Sequence, residues 1–277
     1  AIGASRQIFI QAPTGVGKTM STIFPAVRAV GEGKGETIFY LTAKTITRTV
    51  AQEAFEVLRE KGMKYKVVTI TAKEKLCFMD ETKCDPVHCP YARGHFDRVN
   101  DAVYELWTTK SRYDRETIRE QAEKWQVCPF EMCLDLSVWV DAVICDYNYV
   151  FDPTVHLKRF FGEGAGGDYI FLIDEAHNLA ERGREMYSAS ICREDAVRVR
   201  KVMKERAPRL YRSLGKLDKQ LKELQVDCGN YIVLPGTGSI TMTILKVQGE
   251  FDAFLEAHKD VELEDEAIKF YFDIRNF

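Results

Sequence analysis

The sequence predicts a doubly wound, mostly parallel α/β sheet, and three observations carry that prediction. Apolar, β-rich runs recur at Ile8 to Ile10, Thr37 to Leu41, Val67 to Ile70, Ala142 to Cys145 and Tyr169 to Ile173. Helical patterns lie between several of them, the alternation that builds parallel sheets. The first run leads into a glycine-containing turn, Ala12-Pro-Thr-Gly-Val-Gly-Lys-Thr19, and then into a helical segment. The last run is continuously apolar, as in a strand buried on both faces, and it ends in Asp174-Glu-Ala-His177.

Strand, turn and helix in that order are the context of a phosphate-binding loop. Gly15 and Gly17 let the backbone turn tightly, so that N–H groups from Thr14, Gly15, Val16 and Gly17 point at the β- and γ-phosphates. Lys18 reaches the β/γ oxygens, and the Thr19 hydroxyl is the candidate Mg²⁺ ligand. Ala12 stands where the pattern usually begins with glycine, at the position farthest from the phosphates. Carboxylates at the end of a buried strand are costly unless they serve a metal or a water. Asp174 is therefore expected to hold Mg²⁺ through its water shell, and Glu175 to orient and deprotonate the water that attacks the γ-phosphate. His177 is placed to sense that phosphate. Together the two motifs predict ATP binding.

Eight cysteines occur in a chain that shows no signal peptide and no apolar run long enough to span a membrane. That pattern predicts a cytoplasmic protein, where clustered thiols bind metal more often than they form disulfides. Cys77, Cys84 and Cys89 fall within thirteen residues; Cys128 and Cys133 follow about forty residues later, between the two nucleotide motifs. Four thiolates without clustered histidines suit either tetrahedral zinc or a [4Fe-4S] cluster, and the spacing does not choose. Cys133, a helical turn from Cys128, is a fifth thiol whose alternative role is a small buried hydrophobe, as it is for Cys145, Cys192 and Cys228.

The 39 Lys and Arg against 42 Asp and Glu argue against a surface coated for nonspecific nucleic-acid binding. Residues 41 to 75 nevertheless hold eight basic side chains against four glutamates, so any basic surface is local. A solvated helix face accounts equally well for Arg59, Lys61, Lys64 and Lys66. Lys44 and Lys73 differ, because each closes a Thr-Ala-Lys at the end of an apolar run, the edge where such sheets place ligands. Tyr147 and Tyr149 offer base stacking, against the commoner role of aromatic core.

The loop at residues 12–19 and Asp174-Glu-Ala-His177 resemble motifs I and II of superfamily 2 helicases, specifically the XPD/DinG group. Thr71-Ala-Lys-Glu-Lys-Leu-Cys77, Cys128-Pro-Phe130, Tyr147-Asn-Tyr149 and Asp152-Pro153 are similar to the segments that flank that group's iron-sulfur cluster. The resemblance implies a RecA-like parallel sheet in residues 1–75 and 136–180, a cluster insertion at 76–135, and a helical arch, or part of it, at 181–277. It implies Cys77, Cys84, Cys89 and Cys128 as ligands of a [4Fe-4S] cluster, ATP and Mg²⁺ as further cofactors, and Thr42-Ala-Lys44 as motif Ia. It places Lys73 as a basic residue that touches single-stranded DNA just before the cluster. The implied activity is ATP-driven 5′ to 3′ movement on single-stranded DNA with unwinding at duplex junctions, and the implied setting includes DNA repair. No second RecA-like domain, and hence no motif VI arginine, is recognisable in these residues. The wording around the motifs looks bacterial, and some bacterial members place a nuclease domain ahead of the helicase. Two other readings stand beside it: a P-loop ATPase with a zinc-binding insertion acting as remodeller or switch, and a noncatalytic DNA-binding module with a vestigial loop. The intact Lys18, Thr19, Asp174 and Glu175 argue against the second.

Overall fold

The computed structural model of the chain describes residues 2–13, 15–225, 230–258 and 265–277. They form two compact units, Ala1–Met186 and Tyr187–Phe277.

The first unit is built on a parallel sheet of five strands: β1 (Thr37–Leu41), β2 (Val67–Thr69), β3 (Arg112–Tyr113), β4 (Ala142–Cys145) and β5 (Tyr169–Ile173). Their order is β3-β2-β4-β1-β5, so β1 is hydrogen-bonded on both sides, with Ile38 opposite Ala142 and Ile170. Side chains alternate between the faces. Ile38, Tyr40, Ala142 and Ile144 pack against helices α1 (Lys18–Gly31) and α2 (Thr45–Glu60) through Ile23, Ala26, Ala51 and Phe55. Phe39, Leu41, Val143 and Cys145 face a second core. That core is completed by α4 (His95–Thr109), α5 (Arg115–Trp125) and α6 (Pro129–Ser137), with the single turn α3 (Lys73–Leu76) contributing Leu76. The cysteine-bearing stretch thus supplies one layer of the α/β sandwich as well as β3.

Two local differences from the sequence prediction have clear causes. Ile8 to Ile10 is not a strand: no described strand offers it a ladder, and Phe9 is 90% exposed. A three-residue apolar run has no regular structure without a neighbouring backbone to pair with. Conversely, β3 is two residues long, too short for a periodic signal, and exists because Val67 and Val68 pair with Arg112 and Tyr113. Short turns α7 (Asn148–Phe151) and α8 (Lys158–Phe161) join β4 to β5, and α9 (Leu179–Met186) closes the unit.

The regular structure of the second unit, among its described residues, is helical: α10 (Arg193–Arg206), α11 (Pro208–Gln225), α12 (Ser239–Ala257) and α13 (Asp265–Asn276). Each helix packs on the next and α13 returns to α10. Val199, Leu214, Val247, Phe251 and Phe270 fill the centre, the apolar stripes that amphipathic helices bury.

Candidate nucleotide site and cysteine cavity

The loop before α1 and the end of β5 meet at the C-terminal edge of the sheet, where open α/β sheets bind ligands. Gly15 and Gly17 have φ of 84° and 78°, and a Cβ on either would meet nothing within 4 Å. Backbone conformation, not crowding, is what demands glycine there. Lys18 opens α1, and its Nζ lies 3.2 Å from Glu175 Oε1, across 157 residues of sequence. His177 Nδ1 is 3.4 Å from Glu175 Oε2. Thr14 lies outside the described residues; Val16 is exposed and Thr19 half-buried.

Glu175 has φ +50° and ψ +44°, a left-handed conformation that a non-glycine residue adopts at a cost of about 1–3 kcal/mol. Its neighbours over-determine that conformation. The Asn178 backbone N–H and side-chain amide both donate to the Glu175 carbonyl at 3.0 Å, and the Tyr147 hydroxyl donates to it at 3.2 Å. The same hydroxyl bonds the Asp174 carbonyl, while Asp174 N–H donates to Leu41 O at 3.0 Å. Tyr147 is consequently not the base-stacking platform expected from sequence. Its ring is fully buried, and it serves to hold the Asp174-Glu175 backbone.

Tyr40, which sequence reasoning missed, is buried near the end of β1 beside Thr19 and Asp174. Its only sequence signal was its place in an apolar run. Burial pushes the Asp174 carboxyl above the usual carboxylate range, and the Glu175 charge adds to this, with Lys18 and Tyr40 opposing. Because the folded value is raised, the associated stability is present at acid pH and lost as pH rises through it. Asp174→Asn is therefore expected to melt a few degrees higher than the parent at neutral pH, without divalent metal. The gap should close as pH falls below about 4. Thermal melts across that range check it.

All four sequence-selected cysteines, Cys77, Cys84, Cys89 and Cys128, line one cavity, walled also by Phe78, Tyr91 and Phe130. Among the described residues, no three His, Cys, Asp or Glu side chains are gathered tightly enough to hold a single metal ion. Four cysteines on one cavity are the donor type and number that a [4Fe-4S] cluster takes. Lys73 turns toward the thiols, and the Cys84 sulfur beside it holds its ammonium above the usual range. Burial pushes the Cys128 thiol up. Cys128 caps α6 ahead of Pro129, and its N–H donates to His95 Nδ1 at 3.2 Å. Cys133 lies apart in the sheet core, fully buried, its thiol pushed up to about 12 by desolvation. Of the three residues expected at nucleic acid, Lys44 is exposed at the start of α2, Lys73 faces the thiols and Tyr147 is buried; they follow β1, β2 and β4, which are neighbours in the sheet.

Residues 47–196 match the DEAD_2 family, and residues 1–89 match the DEAD/DEAH box helicase family. The chain belongs to the DEAD_2 family. The Fanconi anemia group J protein homolog of Gallus gallus is 31% identical to this DEAD_2 chain over 104 residues, 37% of the chain and 8% of that protein. Among solved structures, a truncated XPD is similar with a TM-score of 0.56 and 18% identity, covering 96% of this chain and 75% of that one. An XPD helicase is similar with a TM-score of 0.58 and 17% identity, over 99% of this chain and 48% of that one. These two likenesses establish the α/β fold shared with XPD structures. The chain spans under a tenth of the curated relative and about half of the XPD helicase. No described helix is long and apolar enough to cross a membrane.

Proposed function

We propose that this DEAD_2 chain is the nucleotide-binding half of an ATP-dependent DNA helicase. The observation that carries the reading is the convergence of Lys18, Thr19, Asp174 and Glu175 at the ligand-binding edge of the sheet. Residues 1–75 and 136–180 form the first motor domain, 76–135 the iron-sulfur region, and 181–277 an arch or part of it.

The geometry supports a sequence of events. A γ-phosphate entering between Lys18 and Glu175 takes over the ammonium, and the ion pair at 3.2 Å opens. Glu175, relieved of that partner and pinned through its carbonyl, accepts the proton of the attacking water. Thr19, and Asp174 through the water shell, are the residues that would hold Mg²⁺, which would supply charge neutralisation for the transferred phosphate. Lys44 is the proposed contact to a DNA phosphate, which positions the strand without reading its sequence. The cysteine cavity is proposed to hold a [4Fe-4S] cluster through Cys77, Cys84, Cys89 and Cys128, a group that fastens α3, the 84–89 loop and α6 to one another. Movement 5′ to 3′, action at duplex junctions and closure by a second RecA-like domain complete the proposal.

The test is nucleotide binding with the Lys18→Ala variant. The parent binds Mg-ATP, and the variant is expected to bind about 10 to 100-fold more weakly, the worth of a lost charged hydrogen bond. Equal affinity in titration calorimetry would remove Lys18 from the site and the helicase reading with it.

A further inference from the structure

Phe78 lines both the cysteine cavity and an open surface hollow of about 410 Å³ on its other side, while Cys84 is exposed. Phe78 is held from two sides. The Arg119 guanidinium carbon lies 4.3 Å from its ring centre, and the Tyr91 ring is 4.6 Å away on centroids. The same guanidinium donates from Nη1 to the carbonyl of Leu76 at 2.6 Å and to that of Cys77 at 3.1 Å. Four residues earlier on α5, Arg115 Nε donates to Lys75 O at 3.0 Å. These carbonyls end α3, where a helix has no internal partners for them and where a cation is favoured. Residues 75–78, ending in a cavity-lining cysteine and the aromatic beside it, are therefore fixed by a neighbouring helix as well as by their own turn, in which Cys77 N–H donates to Lys73 O at 2.8 Å. The Cys77 sulfur in turn accepts from Met79 N–H at 3.4 Å, so its direction follows that backbone.

We propose that Arg119 is the positioning residue of the cysteine cavity. Its guanidinium fixes the Cys77 backbone and holds Phe78 against the cavity that the thiols line. By doing so it sets how firmly the Cys77 side of the cavity retains iron held by those thiols. Arginine suits both tasks, since the two N–H bonds of Nη1 reach two carbonyls in the guanidinium plane while its face covers an aromatic ring. Lysine supplies charge without that planar face. The inference rests on the cysteines holding an iron-sulfur cluster, and the experiment separates the two.

The 277-residue chain, Arg119→Met, Arg119→Lys and Phe78→Leu are purified and reconstituted without oxygen. Iron per chain, the absorbance near 400 nm and the rate of iron transfer to bathophenanthroline disulfonate under nitrogen are then recorded, with a thermal melt of each protein. The parent is expected to hold about four irons. Arg119→Met should release them about tenfold faster, matching the loss of a charged hydrogen bond, with a melting temperature lowered by no more than a few degrees. Arg119→Lys should recover only part of the retention. Phe78→Leu keeps both carbonyl bonds and should release iron at an intermediate rate, which tests the Phe78 ring even where Arg119→Met does not fold. Release at the parent rate in both Arg119→Met and Phe78→Leu would overturn the positioning role while leaving the cluster standing. Zinc without the absorbance in the parent would overturn the cluster, and the inference with it.

Discussion

Glu175→Gln is expected to lower single-turnover ATP hydrolysis by about 10² to 10⁴-fold, the range for removing a general base, and to leave ATP binding intact. The substitution keeps the side chain's size and the backbone that Tyr147 and Asn178 hold, because both bond the Glu175 carbonyl and not its carboxylate. It also removes the negative partner 3.2 Å from Lys18. A phosphate then no longer has to displace that partner, so affinity should be unchanged or slightly higher. Opposite movement of binding and hydrolysis is the signature of a base that also restrains the lysine. A parallel fall in both would mean that Glu175 serves the architecture of the site instead. Hydrolysis is followed with labelled ATP in enzyme excess, and binding with the same variant by calorimetry.

Cys128→Ser should abolish the 400 nm band and leave fewer than about one iron per chain, since a four-iron cluster takes one thiolate per iron. Cys133→Ser should keep both. Cys128 caps α6 and Cys133 lies five residues on within it, yet Cys128 lines the cavity and Cys133 is sealed in the sheet core beside residues such as Met132 and Val143. Burying a hydroxyl in place of Cys133 should cost about 1–3 kcal/mol of stability without touching iron. Cys128→Ser should show the reverse, with its circular dichroism preserved, because α6 keeps Met132, Leu134 and Leu136 in the core. Iron and zinc content, measured together with chemical denaturation of each variant, distinguishes a ligand from a packing residue. Retained iron in Cys128→Ser would remove that thiol from the ligand set.

Sequence determined the parts of this protein that depend on local rules. β1, β4 and β5 fall where continuous apolar runs of four or five residues predicted them; β1 and β4 are buried on both faces and carry that signal in every residue, whereas β5 lies at the edge of the described sheet with Phe171 exposed. Gly15 and Gly17 were legible because a left-handed backbone leaves few other residues possible. The set of four cysteines was visible in composition and spacing, and membership of the DEAD_2 family agrees with the resemblance carried by the motifs.

Only the tertiary structure decided how these parts act on one another. Tyr147 reads as an aromatic near DNA, but its ring closes the core and its hydroxyl holds the carbonyls of residues 174 and 175. Tyr40 reads as one apolar residue among five and becomes a neighbour of Asp174. Ile8 to Ile10 has the composition of a strand and no strand to pair with, while Arg112 and Tyr113 have little strand signal and are recruited by β2. Arg119 reads as one charge on a polar helix, yet its bonds span 42 and 43 residues to the cysteine loop. The reason is common to all of these. Periodicity and backbone preference are written in adjacent residues, whereas hydrogen-bond partners and burial depend on which distant segments the sheet brings together.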